Sequence, residues 1–114
     1  MATEKEVNEK LEQFEALRQT LYAILMQKQR LKQQYDEIDN AISELEKLGE
    51  NEKVYKLVGN VMIEKSKESV LSELKEKKEV IEVRLQSLEK QEQSLKERLE
   101  KLQSELEKFL RSSN

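Results

Sequence analysis

The sequence predicts a mainly α-helical fold: a long antiparallel two-helix coiled coil joined by a central β-hairpin that associates with hairpins of other subunits. Three observations carry this reading. Each half of the chain has a seven-residue apolar repeat, the repeat stops at Gly49, and Val58-Gly59-Asn60-Val61 stands between two apolar runs rich in β-branched residues. Composition agrees with a thin fold. Charged residues make up 39% of the 114 residues, hydrophobic ones 36% and aromatics 4%, too little apolar surface for a large globular core. Disorder is the other consequence of high charge, but it comes with Pro and Gly and without apolar periodicity; this chain has no Pro and two Gly.

In the first half one set of positions steps by seven through Val7, Phe14, Leu21, Lys28, Tyr35 and Ile42. A second set follows three residues later through Lys10, Leu17, Ile24, Leu31, Ile38 and Leu45. Apart from the two lysines every member is apolar or Tyr, a stripe that requires a partner helix along its whole length. Thr3 with Glu6 three residues on has the spacing of a capping box. Lys47 in the last turn and Gly49 beyond it mark the end, with Gly49 expected as a left-handed C-cap. This predicts a helix over 3–48.

The second half repeats the design, with Leu71, Lys78, Leu85, Glu92, Leu99 and Leu106 offset by three from Leu74, Ile81, Leu88, Leu95, Leu102 and Phe109. This predicts a helix over 70–111. Two helices of roughly 42 residues, joined by a short segment, favour an antiparallel pair with both termini at one end, because pairing buries both stripes. Folded back symmetrically, Lys28 and Glu92 lie at the same depth. Either they pair inside the seam and penalise slipped registers, or both snorkel to water.

Residues 49–69 break the heptads. Gly59-Asn60 is a two-residue turn signal between strands expected at 53–58 and 61–66. Alternation places Val54, Lys56 and Val58 on one face and Tyr55 and Leu57 on the other; the return strand puts Val61 and Ile63 on one side and Met62 on the opposite one. Neither face is cleanly polar, and a lone two-stranded hairpin is marginal in water. Hairpins of several subunits therefore pair edge to edge or pack face to face. The alternative is a hairpin folded back on its own coiled coil, where Val80 and Val83 would cover one face but not both.

Many chemistries are excluded. Without Cys or His there is no thiol nucleophile, imidazole catalyst or zinc site built on those ligands, and no Gly-rich phosphate loop is present. No enzyme, cofactor or metal is expected. A net charge of -3 argues against a nucleic-acid binder. The acid-free stretch from Ala16 to Gln34 reads as a solvated helix face. Nothing resembles a signal peptide or a membrane-spanning run, so a soluble intracellular protein without membrane contact is expected.

Two long helices joined by one central hairpin at this length resemble the β-class subunit of archaeal-type prefoldin, and the local sequence is similar as well. The matching stretches are Gln27-Lys28-Gln29, Val54-Tyr55-Lys56-Leu57-Val58-Gly59, Glu73-Leu74-Lys75, Glu82-Val83-Arg84-Leu85, Leu88 and Gln91-Glu92-Gln93. The strand stretch is the more specific, since any coiled coil is rich in Leu, Glu, Lys and Gln. The resemblance covers nearly the whole chain and implies a single prefoldin-type domain over 1–114. It further implies an ATP-independent chaperone subunit in a hexamer of two α-class and four β-class subunits. Hairpins would form a double β-barrel body, and coiled coils would hang from it, gripping unfolded polypeptides for a group II chaperonin. Val54, Tyr55, Leu57, Val58, Gly59, Val61, Met62 and Ile63 would then form the assembly surface.

The residues themselves place client contacts compatibly. Near the open end lie Val7, Leu11, Phe14 and Leu17, opposite Leu102, Leu106, Phe109 and Leu110. Leu11 and Leu110 fall outside the seam positions, so a two-helix seam leaves them partly open to a non-native chain. The run Leu21-Tyr22-Ala23-Ile24-Leu25-Met26 is apolar all round, and Tyr22 and Met26 share an outward face as further candidate client contacts. The rival reading for all these residues is closure of the coil or inert surface. At the level of function the rival is a structural or adaptor coiled coil for partner docking or dimerisation. The two-faced hairpin argues against it, since a passive spacer needs only a loop.

Overall fold

In the computed structural model, which describes residues 3–112, the chain runs α1 (Glu4–Glu46), β1 (Val54–Val58), β2 (Val61–Lys65) and α2 (Lys67–Ser112). The start of α1 follows the expected cap: the Glu6 amide donates to Thr3 Oγ1 at 3.2 Å and the Val7 amide to the Thr3 carbonyl at 3.1 Å. Its end does not follow the expectation. Gly49 is not left-handed, and among the described residues only Gly59 has a positive φ. Instead the Leu48 amide donates back to the Leu45 carbonyl at 3.1 Å, and Lys67 Nζ donates to the Leu48 carbonyl at 2.8 Å. A lysine from α2 thus satisfies the carbonyl that a glycine cap would have turned aside. The Gly49 carbonyl accepts from the Glu52 amide at 3.2 Å and opens the turn that leads to β1.

The second helix begins at Lys67, three residues before its expected start at 70. Ser66 is the cap: its Oγ accepts the Ser69 amide and its carbonyl the Val70 amide, each at 3.1 Å. Heptads locate the first seam residue, whereas the cap sits a turn earlier, so periodicity alone starts the helix late.

The chain divides into two compact units. One comprises Met1–Gln29 with Gln86–Asn114, the other Arg30–Leu85. In the first, ion pairs Lys10–Glu105 and Lys28–Glu92 join α1 to α2; in the second, the ion pairs Asp39–Lys78 and Glu46–Lys75 do so, with a hydrogen bond from the Tyr35 hydroxyl to Glu82 Oε1 at 3.1 Å. Within each unit the α2 partner number falls as the α1 number rises, so the helices pair antiparallel. Every expected seam position is buried or half-buried in both helices. Ile24, Leu88 and Leu95 are the most covered in the first unit, and Leu31, Ile42, Ile81 and the strand residue Val54 in the second. No large side chain among the described residues is fully buried, because a seam between two helices is covered on two sides only.

The hairpin pairs antiparallel in the register Val54↔Lys65, Lys56↔Ile63 and Val58↔Val61, closed by Gly59 at φ 60°. No atom crowds the position of a Gly59 Cβ, so the dihedral alone selects glycine there. Val54 is buried and Lys56 reaches Glu73 of α2, so the Val54–Lys56 face turns toward the helix. Val80 and Val83 do not cover that face: they stay 59% and 65% exposed, because the hairpin meets α2 at Glu73, two helical turns earlier.

Leu88→Ala is expected to lower the stability of the isolated chain by about 2–4 kcal/mol in urea unfolding, since it empties a covered seam position. Val83→Ala, at an exposed position, should change it by less than about 0.5 kcal/mol in the same measurement.

Candidate functional site

The strands of the hairpin leave most of their apolar surface uncovered. Leu57, Val61 and Met62 are each more than 60% exposed, and Tyr55, Val58 and Ile63 are exposed as well; of the expected assembly residues with a side chain, only Val54 is buried. The cause is topological. The sheet has two strands, so both edges are open, and helix α2 covers only the root of one face. The expected alternation is present, with Tyr55, Leu57 and Met62 on the face turned away from the helix and Val58, Val61 and Ile63 on the face shared with Lys56.

The residues expected to meet clients all lie in the unit that carries both ends of the described chain. Val7, Phe14, Leu17, Leu102, Leu106 and Phe109 are half-buried in seam positions, whereas Leu11 and Leu110 are 49% and 70% exposed. Lys10 Nζ lies 5.7 Å from the centroid of the Phe109 ring, so one ring face is already engaged. Leu17 and Leu102 line a shallow groove with Ala16 between the polar Gln13, Arg98 and Glu105. Tyr22 and Met26 are exposed as expected. The apolar run also exposes Leu25, which was not among the expected site residues because it flanks the seam. Position next to the seam was the available signal.

Polar side chains in seam positions are matched rather than left to water. Lys28 Nζ donates to Glu92 Oε1 at 3.1 Å, the most enclosed ion pair among the described residues, with both side chains about 15% exposed. Lys10 reaches Glu105, and Lys78 reaches Asp39 at 2.6 Å while lying over the Tyr35 ring. The Lys28–Glu92 match realises the paired alternative. The other two lysines pair with acids beside the seam, their stems covering apolar neighbours while the amines reach the rim. The hydrogen bond from Lys28 holds the Glu92 carboxyl below its ordinary value of 4.5 against the opposing effect of burial, as those from Lys56 and Lys10 do for Glu73 and Glu105. The hydrogen bond to Asp39 raises Lys78 above its ordinary 10.5. These groups stiffen and align; none is arranged as a nucleophile with a base. Among the described residues no group of three or more acids could hold a metal ion, and no helix is long and apolar enough to cross a membrane.

With this geometry in hand, known proteins can be compared. The family model described as "Prefoldin subunit" matches residues 8–113. A prefoldin subunit beta of Pyrobaculum calidifontis is 41% identical over 90 residues, covering 79% of this chain and 72% of its own. That of Thermococcus kodakarensis is 38% identical over 106 residues, covering 93% and 91%. The crystal structure of the prefoldin beta subunit from Thermococcus strain KS-1 superposes with a TM-score of 0.86 at 38% identity, covering 92% of each chain.

The ion pairs set a pH response. A carboxyl with a lowered folded value contributes stability that is complete above its unfolded value, near 4.5, and disappears as pH falls through the lowered one. Acid titration of the helical circular dichroism signal should therefore show unfolding beginning below about pH 4.5, with a shallower pH dependence in Glu92→Gln/Glu105→Gln. Lys78 acts with the opposite sign, its contribution complete below 10.5 and lost as pH rises through its raised value, so Lys78→Met should remove part of the alkaline loss.

Proposed function

Because the chain belongs to the prefoldin subunit family and to its β class, whose members are chaperone subunits working with a group II chaperonin and not enzymes, we propose that it binds unfolded or nascent polypeptides at the ends of its coiled coil and delivers them to that chaperonin without ATP. It acts in the cytoplasm as a single prefoldin-type domain over 1–114, within a hexamer of two α-class subunits and four copies of this chain. The observation that carries the reading is the hairpin with both edges open and apolar residues exposed on both faces. Burying strands of this kind against those of other subunits supplies the free energy of assembly, at about 25 cal/mol per Å² of apolar area.

Client contact falls to the apolar residues of the unit that holds both chain ends. Leu11 and Leu110 offer exposed surface, and the half-buried Val7, Phe14, Leu17, Leu102, Leu106 and Phe109 extend it when helix ends open. Tyr22 and Met26 add a second, adaptable patch. Non-directional burial of this kind needs no sequence code in the client, and several weak contacts on linked subunits add by avidity.

Co-expression with an α-class subunit should yield a hexamer by analytical ultracentrifugation, and native mass spectrometry should count four copies of this chain. Leu57→Asp/Met62→Asp should abolish that hexamer while the isolated chain stays helical. Leu106→Ser/Leu110→Ser should keep the hexamer and lose most of its ability to prevent aggregation of a chemically unfolded protein in the absence of ATP; unimpaired protection would remove the client assignment.

A further inference from the structure

Charge is spread unevenly around the groove that Leu17 and Leu102 line. Gln13 and Ala16 of α1 stand on one side of it and Arg98 and Lys101 of α2 on the other, all four exposed. The one acid of the groove, Glu105, is engaged by Lys10, and the charges of Lys101 and Lys108 also act on it. A single carboxylate therefore answers three lysines, and Arg98 is left over. No acid lies three or four residues from Arg98 along α2, where the neighbours are Ser94, Leu95, Lys101 and Leu102. Glu97, a turn before Lys101, stands on its outward flank, yet among the described residues neither Arg98 nor Lys101 forms an ion pair or a side-chain hydrogen bond. On α1 the groove side continues uncharged through Thr20 and Ala23, and its acid Glu9 lies a turn before Gln13.

We infer that Arg98, with Lys101 beside it, gives this groove a charge preference: a non-native polypeptide segment binds there with an apolar side chain on Leu17 and Leu102 and an Asp or Glu carboxylate on Arg98. The inference rests on the client contact proposed above and adds a selectivity that apolar burial lacks. A guanidinium presents its N–H donors as a planar fork that takes both oxygens of a carboxylate. Gln13 and Ala16 supply no competing acid, and Ala16 has only a methyl group, so its wall of the groove stays low. The chain as a whole carries a charge of -3, but at physiological ionic strength charges act over about 8 Å, so the local surplus governs a segment seated in the groove. A nucleic acid fits less well, because no aromatic ring lines the groove for bases to stack on.

The test uses the hexamer assembled with an α-class subunit and three fluorescent peptides that share one apolar centre and are flanked by Glu, by Gln or by Lys. In fluorescence anisotropy at low salt the Glu-flanked peptide should bind at least about threefold more tightly than the Lys-flanked one, and the difference should shrink as salt is raised. Arg98→Gln/Lys101→Gln should abolish this preference while keeping the affinity for the Gln-flanked peptide within about twofold. Arg18→Gln/Arg111→Gln, which removes as much charge from the same unit away from the groove, should retain it. Equal affinity for Glu and Lys flanks, a preference that survives Arg98→Gln/Lys101→Gln, or one lost equally in the second variant overturns the inference. A single-stranded oligonucleotide that binds more tightly than the Glu-flanked peptide overturns it too. Failure of all three peptides to bind removes client contact itself, whereas equal binding of all three removes only the charge preference.

Discussion

The width of the helix seam is the constraint on which the rest depends. Two helices facing one another cover each apolar residue from two sides and leave the others to water, so even Leu31, the most covered residue of the chain, keeps 6% of its surface exposed. Such a seam gains stability from length and repetition. That explains a composition with more charged than hydrophobic residues: each seam residue is flanked by outward positions that must be polar to prevent wider aggregation. It also explains why exposed apolar residues in this chain carry information. Where the outward positions hold Leu11, Tyr22, Val80 or Val83, the seam leaves them exposed.

The lysines in the seam show how a narrow interface accommodates charge. In a wide core a buried amine needs a fully desolvated partner, and the desolvation penalty often exceeds the attraction. Here each lysine stem covers neighbouring apolar surface while its amine meets a carboxylate at or near the rim. Lys28 with Glu92 is the more enclosed case, since both occupy seam positions, and it does the most to set register: a slip along the heptads would place each charge against leucine. Lys10 and Lys78 pair nearer the rim, with more solvent at the acid.

The hairpin obeys the opposite logic. Two strands provide a turn, a register and ten strand residues, but only Val54 finds cover, so the segment is ordered while its apolar demand stays unmet. In a chaperone subunit this division is useful. The strands leave one apolar surface open, and the helices leave others at Leu11, Tyr22, Val80 and Val83.

The periodic features were legible in the chain itself: both heptad stripes, the Thr3 cap, the Gly59 turn, the two-faced strands and the common depth of Lys28 and Glu92. These rest on spacing, and spacing along a regular helix or strand converts directly into which residues share a face. Three features were decided only in three dimensions. Gly49 carries no left-handed cap because Lys67, eighteen residues further on, takes the Leu48 carbonyl. The start of α2 moves to Lys67 because Ser66 caps it, a local bond that the heptads do not encode. Val80 and Val83 stay in solvent because the hairpin crosses α2 at Glu73, and the angle at which a strand leaves a helix depends on packing that no periodicity records.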